Sequence, residues 1–125
     1  MLPTDELRRR YGADIDRMRA DMAAGLAPAE PKALAVALGP FAHFAETAGL
    51  LNGTSWADWA RLYVENLRDL PGDLVIDAFG EIMRTWRWPR MPLPGDVRAI
   101  AEPLRQARAD RALLIATLAR RIGRT

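Results

Sequence analysis

Histidine, carboxylate and arginine side chains are the groups in this sequence that could move protons, hold metals or grip anions, and their placement limits each use. His43 is the single histidine, so a metal site built from several imidazoles, or a histidine dyad, cannot form within one chain. It sits between Phe41 and Phe44 in a helical stretch, where a half-buried histidine and a pH-sensitive ligand are both open readings. Asp69, Asp73, Asp77 and Glu81 recur every fourth residue, which can turn several carboxylates to one side. Such a row can hold magnesium, serve as acid and base, dock a basic partner or simply be solvated. Asp73 also suits a helix start through the dipole, and Glu81 can pair with Arg84 one turn on. There is no cysteine, which removes thiol nucleophiles, zinc thiolates and disulfides. The glycines match neither a Walker loop nor a dinucleotide fingerprint. A serine–histidine–acid triad could be assembled only from Ser55 and His43, with nothing to mark it. We therefore expect no catalytic residue, no metal, no cofactor and no enzymatic activity.

Binding chemistry is better represented. The net charge of +2 conceals a division: residues 25–83 carry three basic and eight acidic side chains, whereas residues 84–125 carry ten arginines and three acids. Four tryptophans can serve as core, stacking platforms or interface anchors. Trp56, Trp59 and Trp86 fall on apolar stripes, while Trp88 points elsewhere and is the candidate exposed aromatic. Arginines around it and beyond suit phosphates or an acidic protein surface equally, and no spacing isolates a recognition helix. The candidate partner-binding residues are Arg84, Arg87, Trp88, Arg90, Arg98, Arg105, Arg108, Arg120 and Arg121.

The elements that must position these residues are helices. The 125 residues, half of them apolar, suit a single domain with a real core. Apolar residues recur at helical spacing, and no convincing strand is found. A first helix runs from about Thr4, a plausible N-cap, to about Ala24, with Leu7, Tyr11, Ile15, Met18 and Met22 inward. After a loop, Pro31 opens a second stretch burying Leu34, Leu38, Phe41, Ala45 and Ala48, which Gly39-Pro40 should kink or divide. A turn over Gly49 to Gly53 precedes a capping-box-like Ser55-Trp56-Ala57-Asp58 and a helix burying Trp56, Trp59, Tyr63 and Leu67. The next buries Val75, Phe79, Ile82 and Trp86 and ends near Trp88. The last, about 94–122, uses Val97, Ile100, Leu104, Leu114, Leu118 and Ile122, with Pro103 expected to bend or split it. The predicted fold is all-α: a compact orthogonal bundle of four to five helices whose last helix can project or mediate contacts. That apolar row also offers a homodimer seam, although Arg111 interrupts a strict heptad. No segment has the ~20 apolar residues of a membrane span and the N-terminus lacks a secretory pattern, so the expected location is the cytoplasm, with no membrane partner.

From Trp59 to Ile100 the order of residues is distinctive: Tyr63, Leu67, Asp69-Leu70-Pro71, Asp73, Ala78, Trp86-Arg87-Trp88, then Pro92-Leu93-Pro94-Gly95-Asp96-Val97-Arg98. It resembles the phage and prophage family of replicative-helicase loaders and inhibitors, with its loosely related replisome organisers. Asp96 stands where a glutamate is more usual. The resemblance covers about a third of the chain and implies a small helical DNA-replication accessory protein that binds a ring helicase or initiator without hydrolysing ATP. It assigns no binding residue. Direct nucleic-acid binding through the arginine-rich C-terminal third, and a helical interaction or inhibitor protein, are the alternatives.

Overall fold

The computed structural model describes residues 4–123, with side chains described for Glu6, Arg9 and Gly12 onward. All regular elements among them are helices: α1 (Thr4–Gly25), α2 (Pro31–Ala37), α3 (Gly39–Thr47), α4 (Trp56–Leu67), α5 (Gly72–Thr85) and α6 (Pro94–Arg121). The all-α expectation holds. There are six helices rather than four or five, because Gly39-Pro40 divides the second stretch: Pro40 has no N–H to continue the ladder. The side chains of Thr4, Leu7 and Tyr11 lie outside the described set. Two compact units form, Met1–Ala27 with Gln106–Thr125, and Pro28–Arg105.

The larger unit holds the main core. Leu34, Leu38, Phe41, Ala45, Tyr63, Leu67, Leu70, Val75, Phe79 and Ile82 are buried with Met91, Val97 and Ala101. Phe41 and Phe79 pack tilted at 47° with centroids 4.6 Å apart, and Tyr63 meets Phe79 edge-on at 5.0 Å. Trp56, Trp59 and Trp86 pack against this core half-buried, which spends their apolar area on the interior rather than on a ligand. Ala48, expected inside, is the exposed C-cap of α3.

Local chemistry sets the boundaries. Glu30 caps α2, its carboxylate accepting from Ala33 N at 2.7 Å, with Pro31 in the first turn. Ser55 caps α4 through Ala57 N at 3.1 Å, while Asp58 pairs with Arg61. Between α3 and α4, Gly49 (φ 71°) and Gly53 (φ 83°) adopt the left-handed conformation that glycine tolerates. Ala29 N donates to the carbonyls of both Arg68 and Leu70, tying the segment before α2 to the turn before α5.

In the smaller unit, Ile15 of α1 is buried with Ile115, Ala119 and Ile122 of α6, and Met22 packs beside them. Met18 is 40% exposed. The inner face of α6 matches expectation in part: Val97 and Ile122 are buried and Ile100 packs against the main core, but Leu114 is 67% exposed and Leu118 37%, and Leu104 is also exposed. In place of the two leucines the next residues, Ile115 and Ala119, are buried, the second an alanine that hydrophobicity alone would rank below leucine. Nor does Pro103 split the helix, which runs unbroken from Pro94 to Arg121. Buried Val97 and Ala101 before the proline and Ile115 after it offset a missing backbone bond with packing.

Candidate functional site

The segment joining α5 to α6 is built by five interactions that its sequence makes possible. The helix α5 ends at Thr85, one turn earlier than the expected limit near Trp88, because Trp86 turns extended to pack on the core. Its indole N–H then donates to Arg90 O at 2.7 Å, closing a loop over residues 86–90. The Arg90 guanidinium lies 5.2 Å from the Trp86 ring centroid, a cation–π contact. Tyr63 OH donates to Pro92 O at 2.7 Å in the interior. Pro94 occupies the first turn of α6, and Asp96 two residues on reaches back to accept from Leu93 N at 2.8 Å and from Arg90 Nη1 at 3.1 Å. That is half a capping box, which explains why an acid belongs there. Burial, reinforced by the Asp96 charge, pushes the Tyr63 phenol well above its ordinary value, so it remains a hydrogen-bond donor at neutral pH.

No family model, curated protein or solved structure matches the chain. The site therefore rests on its own geometry. Trp88 stands in the middle of the closed loop, 61% exposed, and Leu93 between two prolines is 52% exposed. Arg87 is exposed with no ion pair or hydrogen bond among the described residues. Arg84 is exposed as well and pairs with Glu81 at 2.5 Å. An apolar projection on a pinned loop, with cations beside it in sequence, is the composition of an interface anchor.

The remaining candidates do not gather there. Arg98 is drawn to Glu102 at 3.0 Å, to Asn66 O at 2.9 Å and to Asp69, linking the start of α6 to the end of α4 and joining the acidic and basic halves of the sequence. Arg105 bonds the same Glu102 through Nε at 3.2 Å and Nη2 at 2.9 Å. In the smaller unit, Arg108 donates to Gly25 O at 2.6 Å, capping the C-terminus of α1. Arg120 reaches Thr117 at 3.3 Å, and Arg121 is exposed without a described partner. Sequence reasoning missed Leu93, whose signal was its place between prolines: such a backbone leaves little room to fold the side chain under.

The other candidate chemistry separates too. His43 is exposed beside a shallow hollow lined by Pro40, Phe44, Thr47 and Met83. Among the described residues no three His, Asp or Glu side chains are grouped to hold a metal ion. Asp69 and Glu81 are engaged by Arg98 and Arg84. No described helix is long and apolar enough to cross a membrane.

Proposed function

We propose that this chain is a non-catalytic DNA-replication accessory protein that binds a replicative helicase or an initiator through the α5–α6 corner. One observation carries the choice of surface: Trp88 stands in the open on a loop closed by the Trp86–Arg90 bond, beside Arg87, which has no ion pair or hydrogen bond among the described residues. A loop whose backbone is already closed loses less conformational freedom on binding, and a tryptophan has few side-chain torsions to fix, which is why such residues anchor interfaces. The choice of partner comes from the Tyr63-to-Arg98 resemblance. The same residues build the pinned corner, which supports a shared way of folding it.

The test is a titration of the purified chain with the replicative helicase and, separately, the initiator of the same replication system at low salt. Binding by either, weakened tenfold or more by Trp88→Ala, is expected. A folded protein that binds neither contradicts the proposal.

Nucleic-acid binding is the second reading, favoured by Trp88 as a base-stacking ring next to Arg87. Its charge supply is smaller than the sequence total, since Arg98, Arg105 and Arg108 are engaged within the protein. With Arg87 at the corner, and Arg84 only if it leaves Glu81, the slope of log affinity against log salt would be only about −1 to −2. A steeper slope would favour a wider arginine surface.

A further inference from the structure

The chain holds two asparagines, Asn52 and Asn66, and the fold treats them oppositely. Asn52 and Gly53 are the central residues of the turn between α3 and α4, closed by Thr54 N donating to Leu51 O at 2.9 Å. Both have positive φ, 48° and 83°, the combination that Asn-Gly favours, because asparagine tolerates the left-handed region and glycine has no Cβ to oppose it. Among the described residues Asn52 is the one non-glycine position with positive φ. Both residues are exposed. Neither the Asn52 side chain nor Gly53 N has a hydrogen bond among the described residues, and the space where a Cβ on Gly53 would stand is open to 4 Å. Asn66 instead lies inside α4, its Nδ2 donating to Leu62 O at 2.8 Å, and the residue after it, Leu67, is fully buried within the same helix.

We propose that Asn52 is a site of covalent self-modification, converting to aspartate and isoaspartate through a cyclic imide with Gly53. The backbone nitrogen of Gly53, having given its proton to hydroxide or a buffer base, attacks Cγ of Asn52. An N–Cγ bond forms, the Cγ–Nδ2 bond breaks, and the side-chain nitrogen leaves as ammonia with a proton taken from water. Water then adds to one of the two imide carbonyls. Cleavage of the new N–Cγ bond leaves aspartate; cleavage of the original bond between Asn52 C and Gly53 N leaves isoaspartate, with the main chain routed through Cβ and Cγ. The net exchange is ammonia for water, with no redox change. A side chain at position 53 would crowd the attacking nitrogen, and a helical N–H such as that of Leu67 is already committed to a carbonyl.

The turn sets the pace. Closing the five-membered ring rotates the peptide between residues 52 and 53 away from the orientation in which Thr54 N meets Leu51 O, so that bond must open first. Opening a short exposed turn costs far less than global unfolding. Thr54 Oγ1 restrains the same opening, since it donates to Leu51 O and accepts from Trp59 Nε1 at 2.9 Å. Either product adds a negative charge, and isoaspartate, with one more main-chain carbon, no longer fits the turn.

The experiment follows the full chain in mildly alkaline buffer by peptide mass spectrometry, where each conversion adds about 1 Da. Electron-transfer fragmentation and labelling by an isoaspartate methyltransferase tell the two products apart. Asn52 should convert at least about tenfold faster than Asn66, giving both products, and more slowly than in the same chain unfolded in urea. Thr54→Val, which keeps the shape and removes both Oγ1 bonds, should speed conversion about twofold to fivefold. Gly53→Ala should slow it about tenfold or more, with circular dichroism as the check on folding because alanine strains the turn at this φ. If that variant fails to fold, the ratio of Asn52 to Asn66 in the unmodified chain decides. An Asn52 that stays intact while the urea-unfolded chain converts overturns the proposal, as do equal rates at Asn52 and Asn66. Aspartate without isoaspartate overturns the imide route, and an unchanged rate in Thr54→Val overturns control by the turn.

Discussion

Tyr63 shows how one hydroxyl can fix a surface some distance along the chain. Its O–H donates to Pro92 O from a fully buried ring, so Tyr63→Phe leaves that carbonyl without its partner. A loss of about 1–2 kcal/mol of stability is expected, measured by denaturant unfolding. The pH dependence follows from the raised phenol pKa. The unfolded chain gives up this proton near the ordinary value of about 10 and the folded one later. The contribution is therefore complete below about pH 10 and is lost as pH rises further toward the folded value. Melting temperatures of the unmodified chain should fall faster above pH 10 than those of Tyr63→Phe. Parallel curves would remove the phenol from the account. Asp96→Ala should cost about 1 kcal/mol through the lost cap at Leu93 N, whereas Asp96→Asn, which keeps an acceptor, should cost less.

Among the elements, α6 is where packing departs most from hydrophobic ranking. Ile115→Ala is expected to destabilise by about 2–4 kcal/mol and Leu114→Ala by under about 0.5 kcal/mol, the order set by which of the adjacent residues is buried. Equal losses in thermal unfolding would contradict the assigned register. Pro103→Ala should stabilise the chain by about 1–3 kcal/mol, because the helix already runs through this position and alanine restores the missing donor. A melting temperature that does not rise would mean the proline supplies something the helix needs. The helices α2, α4 and α5 were legible in the sequence, where Pro31, Ser55 and the Pro71-Gly72 turn mark starts and the apolar stripes match the buried faces. On α6 the ends of the inner face, Val97 and Ile122, were legible, but its middle was not, because residues 112–119 offer apolar side chains on more than one face and the choice depends on what α1 presents.

At the level of the whole molecule, the charge division of the sequence resolves into two kinds of arginine. Arg90, Arg98, Arg105 and Arg108 bind groups within the protein, to Asp96, to Asp69 and Glu102, to Glu102, and to Gly25 O respectively. Arg87, Arg111 and Arg121 are exposed with no ion pair or hydrogen bond among the described residues. No count of arginines could make that separation, since it depends on carboxylates and carbonyls that folding brings near. Trp88 was legible as the exposed aromatic because it breaks the helical period by two residues from Trp86. Arg87 beside it was legible only as one of many cations.

The most direct test of the proposed corner is calorimetric titration of the replicative helicase or initiator found to bind, using the unmodified chain, Trp88→Ala and Arg87→Ala. A tenfold or greater loss of affinity is expected for Trp88→Ala and about threefold to tenfold for Arg87→Ala. Both substitutions are at exposed positions, so melting temperatures should change little. Affinities equal to that of the unmodified chain in both folded variants would contradict the assignment of the α5–α6 corner as the partner-binding surface.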